Sequence, residues 1–395
     1  MRLRTCLPLA LATGCAPPAG EPPGDPLVVD LVWIPGTNDI AWAEAEAGLW
    51  WALSNLGAAP ADASGLTVDT SDVDGVRFTL DLGAVGFPEE RLPDVADAVA
   101  PIRAWADGPV DLGRFLMATL YEPGRYYAIT GACGTLEDWR AARQADAPGL
   151  YAVTLSQLVA GDRLVALNVA ATEGSADAAV AGLGWLASEG EGSLVDGTFV
   201  PHEYETVDIL PNGQQRFAVY GADGTLRAAA SESPAGQPGK CLWCHETTIQ
   251  RGTPENPSAP GYLDHAAFLA EVEAAEAWMA EVRARPSAVD FATYEVHEWA
   301  ERVTIGFLEP SPERVAREWG VDVAEVRGLG LATHVHGEFP EMGDLYDRVD
   351  VDAARAAREP GWAPLDTPAS DREADPDRPL VGAGSPACTS GAPAR

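Results

Sequence analysis

Five consecutive residues, Cys241-Leu242-Trp243-Cys244-His245, constrain this chain more than any other feature. Cysteines three positions apart project to one side of a short helical turn, because residues i and i+3 are neighbours on a helix surface. A histidine follows the second thiol directly. Thiols so placed can close a disulfide, act as a redox dithiol, share a metal, or be attached covalently to a larger group. A thioredoxin-like dithiol wants a strand before it and a long helix after, and a zinc site wants a second ligand pair at finger spacing. Neither accompanies residues 241–245, while a structural disulfide stays open. Gly236-Gln237-Pro238-Gly239-Lys240 reads as a loop that delivers the motif, and the motif has no second copy.

The compartment bears on the choice. Met1–Arg4 carries two arginines, Cys6–Thr13 is a short apolar run, and together they read as an export signal too short to span a bilayer. Leu11-Ala12-Thr13-Gly14-Cys15 resembles a bacterial lipoprotein signal, with Ala12 where that family usually has leucine. The resemblance implies cleavage after residue 14 and a diacylglycerol on Cys15. An ordinary secretory signal cut after Ala12 is the alternative. Ala16–Pro26 is a Pro/Gly-rich tether that cannot pack a core. In that family Ala16 after the lipid cysteine implies an outer-membrane anchor, facing the periplasm. Cys133 and Cys388 are then left as candidates for a bridge in an oxidising compartment.

Behind an export signal, the C-x-x-C-H motif is similar to the attachment site of c-type cytochromes. In that family the two thiols add across the porphyrin vinyl groups and the histidine lies beneath the iron, so the resemblance implies one covalent haem c on Cys241, Cys244 and His245. The chain departs from small cytochromes in position, because residues 27–232 precede the motif; the resemblance reaches no further than residue 350 or so. A sixth iron ligand, where one exists, is histidine or methionine in this class. The segment Thr333-His334-Val335-His336-Gly337-Glu338-Phe339-Pro340-Glu341-Met342 holds two of the six histidines and one of the four methionines. The expected order is His336, then Met342, then His334, with an open face as the alternative. Met117 and Met279 read as core, and His297 as a packed helical residue.

The organisation expected is an α+β N-terminal domain followed by a mainly α-helical mono-haem c module. Residues 1–14 are the signal, 15–26 the lipidated cysteine and tether, 27–232 the α+β domain, 233–360 the haem module and 361–395 a loosely ordered tail. Strands are expected at Leu27–Pro35, Val76–Leu82, Tyr151–Leu155, Arg163–Ala170, Glu203–Ile209 and Gln215–Tyr220, with an Asp223-Gly224 turn after the last. Helices are expected at Ala41–Leu56, Pro93–Trp105, Leu112–Tyr121 and Asp264–Arg283, the last with Phe268, Leu269, Val272, Met279 and Val282 on one stripe. The domain at 27–232 carries no G-x-S-x-G elbow, P-loop, H-E-x-x-H or dinucleotide fingerprint, and its tryptophans read as core.

Ser311–Val326 looks like a bacterial helix-turn-helix. Ser311 caps, Pro312 opens the first helix, Gly320 ends it, and Asp322 with Glu325 is expected to form a capping box for the second. Sixty acidic residues against 26 basic give a net charge of −34, and Lys240 is the one lysine. Such a surface repels phosphate backbones, so nucleic acid is excluded as a partner. A basic redox protein is the expected partner, and an electron carrier is expected rather than a catalyst. A haem enzyme or small-ligand or peroxide sensor, and a non-haem binding lipoprotein with a disulfide at 241–244, are the alternatives.

Overall fold

The apolar run after Pro26 forms strand β1 (Val28–Trp33), with Val29, Leu31 and Trp33 inward and Asp30 outward. It belongs to a computed structural model that describes residues 25–69, 75–104, 108–143, 149–153, 163–168, 175–231, 238–245, 262–291, 295–362 and Leu380. Helix α1 (Trp42–Asn55) follows, its first turn held by the Glu44 carboxylate accepting from the Ala41 N–H at 2.6 Å. Strands β2 (Leu66–Asp69), β3 (Val76–Asp81) and β4 (Val110–Asp111) complete a sheet of order β2-β3-β1-β4. Pairing is antiparallel except between β1 and β4. Helix α2 (Leu92–Ala104) separates β3 from β4, and α3 (Leu112–Thr119), α4 (Pro123–Thr130) and α5 (Leu136–Ala142) come after β4.

The second sheet is an antiparallel meander, β5 (Gly149–Val153), β6 (Arg163–Asn168), β7 (Gly184–Glu191), β8 (Val200–Ile209) and β9 (Gln215–Gly221), with α6 (Ala176–Gly182) before β7. β9 is an edge strand, and an edge exposes unpaired N–H groups. Helix α4 covers them: the Tyr126 hydroxyl accepts from Phe217 N–H at 3.1 Å and the Tyr127 hydroxyl from Val219 N–H at 3.2 Å. A buried charge fixes the same junction. Asp208 accepts from Trp139 Nε1 at 2.7 Å and from Arg216 at 2.8 Å, and pairs with Arg143 at 3.0 Å. Burial alone would raise its carboxyl, yet Arg143 and Arg216 hold it below the ordinary range.

The remaining helices are α7 (Cys241–His245), α8 (His265–Arg283), α9 (Glu295–Leu308), α10 (Pro312–Trp319), α11 (Val323–Arg327) and α12 (Arg348–Arg358). The α+β composition is as expected, but the core ignores the handover expected at residues 232 and 233. Leu242, Val289, Val296, Ala300, Val303 and Phe307 belong to the same buried cluster as Leu31, Leu49 and Tyr126. Helix α8 lays Phe268, Val272, Met279 and Val282 on Val180, Trp185 and Ile209 of the second sheet and α6. Helices α8 and α9 thus bury their apolar stripes against early elements, whereas α10, α11 and α12 share a smaller cluster of their own around Val315, Val326, Tyr346 and Val351.

Gly48 shows how close the joint is. A Cβ there would stand 2.6 Å from Ala300 N on α9. Gly48→Ala is expected to cost about 1–3 kcal/mol through overpacking and to move one cooperative thermal transition downward. Two transitions, only one of them shifted, would show that the late helices fold apart.

Other expectations meet the structure unevenly. The Ser311 hydroxyl caps α10 by accepting from Arg314 N–H at 3.2 Å, and Gly320 ends it at φ 65°. The capping box at Asp322 does not form: the Asp322 side chain makes no cap bond, and Glu325 pairs instead with Arg358 of α12. Met117 and Met279 are core, as are Trp33, Trp50 and Trp51. Strand β7 is not anticipated, because glycines at 184 and 190 break its alternation. Cys133 is disulfide-bonded; Cys388, its expected partner, lies outside the described residues, as do the signal, Cys15, and the tail apart from Gly361, Trp362 and Leu380.

Candidate functional site

The C-x-x-C-H residues form a single helical turn, as their spacing requires. A 3-10 turn at Pro238–Lys240 leads into it. At Gly239 the chain presses on the end of α3, where a Cβ would lie 2.1 Å from the Leu120 carbonyl oxygen, so only glycine passes. Leu242 then drives fully into the main core. These two contacts fix the direction of the turn. Cys241 is a half-buried thiol, not a disulfide sulfur, and it packs against the main core. It lies near enough to the Tyr126 and Tyr127 hydroxyls to act on their ionisation. The Cys244 side chain lies outside the described residues.

His245 closes the turn with its ring 5.3 Å from that of Phe217 on β9. Burial lowers its proton affinity to about 4, and the positive charge of Arg163 on β6 adds to the shift. The imidazole is therefore neutral at any ordinary pH, and it makes no hydrogen bond among the described residues. A neutral imidazole with an uncommitted ring nitrogen is the form that ligates a metal. One turn back stands the Cys241 thiol, and a thiol and an imidazole so placed are donors that fit a covalently held haem.

The surroundings of the turn come from one face of the second sheet. Phe217 is paired across to Val207, and Val207 to Trp185, and α8 packs over the last two. Further along the same face Arg163, Glu189 and Glu203 stand in one cross-strand row on β6, β7 and β8, with Glu205 two residues on. Arg163 is ion-paired with Glu189 and Glu205. Sequence reasoning passed over this group. The alternation Glu203-x-Glu205 in a strand was its one local signal; Arg163 and Glu189 join only through pairing register.

The residues expected to complete the iron site are gathered elsewhere. His336 stacks on Phe339 at 5.4 Å, and its Nδ1 accepts the backbone N–H groups of Glu338 and Phe339 at 3.3 and 3.2 Å. His334 Nε2 bonds Glu309 at 2.7 Å, so the two histidines do not act as a pair facing one way. Met342 is buried with Ile305, Phe339 and Leu345. Among the described residues, the contacts of His336, His334 and Met342 are with Phe339, Glu309, Ile305 and Leu345, and those of His245 are with Phe217. His297 packs against Trp51, at 6.2 Å between rings. His265, which the sequence reading left unweighed, begins α8 and stacks on Phe268, in the cluster that covers the His245 face of the sheet.

The helix-turn-helix pair has a structural task. Arg314 of α10 is buried, donating to Ile34 O at 3.0 Å and to Asp111 at 2.5 Å, and Arg327, the one cation of α11, is paired with Glu313 at 2.7 Å. A cleft beside it, lined by Arg114, Phe307, Arg348, Asp352 and Trp362, shares no residue with the α7 surroundings. Comparison of the chain with protein-family models, with curated proteins and with solved structures finds no match.

Proposed function

We propose that this protein is a lipid-anchored, extracytoplasmic c-type haem protein that passes single electrons. Cys241 and Cys244 would hold the haem through thioether bonds and the His245 imidazole would ligate its iron. Bound there, the group supplies a one-electron iron couple. The observation that carries the reading is the turn itself: the Cys241 thiol and the His245 ring one turn apart, on a turn pinned by Leu242 and Gly239. The chain's own part is to hold that imidazole on a fixed turn and to wall it with Phe217. Intact mass and the visible spectrum of protein exported in a host with haem-attachment machinery test it. A mass greater by one haem, with the matching bands, supports the reading; a bare polypeptide mass with no visible band overturns it.

The surface suits a basic partner. With a net charge of −34, association should be steered electrostatically, and a tenfold rise in ionic strength should slow transfer by about tenfold or more. Stopped-flow rates with a basic redox protein across a salt series measure this, and a flat series would remove the steering claim.

One observation favours a second reading. His334, His336 and Met342 are all engaged away from His245, which favours an open distal face and hence a haem enzyme or small-ligand sensor. Carbon monoxide titration of the ferrous protein separates the two, since a six-coordinate carrier resists it. His265→Ala asks whether α8 supplies a ligand that the sequence did not suggest.

A further inference from the structure

The acidic group on the second sheet is out of electrical balance. Glu189 and Glu203 are directly opposite one another on β7 and β8, and Glu205 shares their face. One oxygen from each of the three carboxylates falls within a span of 4.8 Å. Like charges directly opposite in a sheet destabilise it, and these are not solvated: Glu189 is 1% and Glu203 3% exposed. Arg163 answers two of the three through its pairs with Glu189 and Glu205. Among the described residues its single positive charge leaves two negative charges over.

Glu203 supplies the independent sign of a missing partner. Its Oε2 accepts the Ser231 N–H at 2.7 Å, while its Oε1 is buried with no hydrogen-bond partner among the described residues. A buried acceptor left unmatched costs about 1–3 kcal/mol, and more when charged. We propose that Glu189, Glu203 and Glu205 form a binding site for a calcium-like divalent cation. The donor set is all carboxylate oxygen, which selects hard cations over zinc or copper. Calcium takes oxygen ligands at about 2.3–2.6 Å in flexible geometry, so two of them on opposite sides stand about 5 Å apart, whereas magnesium demands a tighter octahedron. A dication also neutralises the two residual charges. Arg163 then acts as the resident counter-ion that the metal must displace or share with. The argument uses no haem and stands apart from the function proposed above.

The test is calorimetric titration of the full chain with calcium chloride after chelator treatment and dialysis, at moderate salt so that the acidic surface is screened. One saturable site per chain is expected, with a higher melting temperature in calcium than in magnesium. Glu203→Gln and Glu189→Gln should each weaken it by about tenfold or more, because ligand charge sets affinity in such sites. Arg163→Met should tighten it by removing the competing cation. Far-UV circular dichroism checks that the variants fold, and Glu205→Gln, at a more exposed position, serves if a buried variant does not. Absence of saturable binding in the wild-type chain at concentrations well above about 1 mM, where the weakest such sites fill, overturns the proposal. So does unchanged binding in the folded glutamine variants, which would place the calcium elsewhere on the acidic surface.

Discussion

On the proposed function, Cys241→Ser combined with Cys244→Ser is expected to abolish covalent haem completely, leaving the intact mass at that of the polypeptide with no visible bands. Serine keeps the size and the helical turn but cannot form the thioether, so folding should survive the change. Leu242, which anchors the turn in the core, is untouched. His245→Ala keeps both thiols and should give partial loading with an altered spectrum, because the iron loses its nearest imidazole. His336→Ala should leave loading and spectrum unchanged, since that ring serves a local turn at Glu338 and Phe339. Covalent haem in the double-serine protein would end the proposed function, whatever the behaviour of the other variants.

Glu318→Gln is expected to be the most damaging single substitution outside that site, costing about 3–5 kcal/mol as the removal of one partner from a buried ion cluster does. The Glu318 carboxylate accepts from Arg314 Nε at 2.8 Å and from Arg348 at 2.7 and 2.9 Å. Arg314 in turn reaches Asp111 and the Ile34 carbonyl, and Arg348 reaches the Phe307 carbonyl and lies over its ring. One carboxylate therefore ties α10 and α12 to β1, β4 and α9. Without it Arg314 keeps only Asp111 and Arg348 only the longer pair with Asp352 at 3.8 Å, so two buried guanidinium groups lose their shared counter-ion. The melting temperature should drop by on the order of 10 °C.

The same group predicts an acid limb. Burial opposes ionisation of Glu318, but Arg348 and Arg314 outweigh it and hold the carboxyl down at about 2. A carboxyl depressed in the folded state contributes stability at pH above its ordinary value near 4.5, and that contribution is lost as pH falls from there through about 2. The loss is about 3 kcal/mol, at about 1.4 kcal/mol for each unit of depression. Urea unfolding of wild type and Glu318→Gln between pH 6 and pH 2 should show the gap between them close. A constant gap would mean that the Glu318 pairs do not titrate as the geometry implies.

Local order was legible in the sequence wherever a residue answers to its own neighbours along the chain. Phe268, Val272, Met279 and Val282 recur at helical spacing and line the buried side of α8. Phe78 and Leu80 alternate with polar residues and face inward from β3. Ser311, Pro312 and Gly320 mark the ends of α10 because caps and left-handed turns are set within a few residues. The same holds for the candidate site: the spacing of Cys241, Cys244 and His245 is a one-turn statement, and it is one turn.

Only the tertiary structure decided what each of those surfaces meets. An apolar stripe says that a helix must be covered, not by what, and so α9 went to α1 at Gly48 rather than into a separate helical module. The His334–Met342 segment looked like a second half of the iron site because its residue types suit iron, but its position depends on α9, Glu309 and the Phe339 cluster. Glu189, Glu203, Glu205 and Arg163 come from three strands, and one residue of register in any of them would turn that side chain to the other face. Caps and helical turns follow from short-range sterics and hydrogen bonds, which the sequence carries locally. Sites assembled across strands and helices follow from register and packing, which exist only once distant parts of the chain have met.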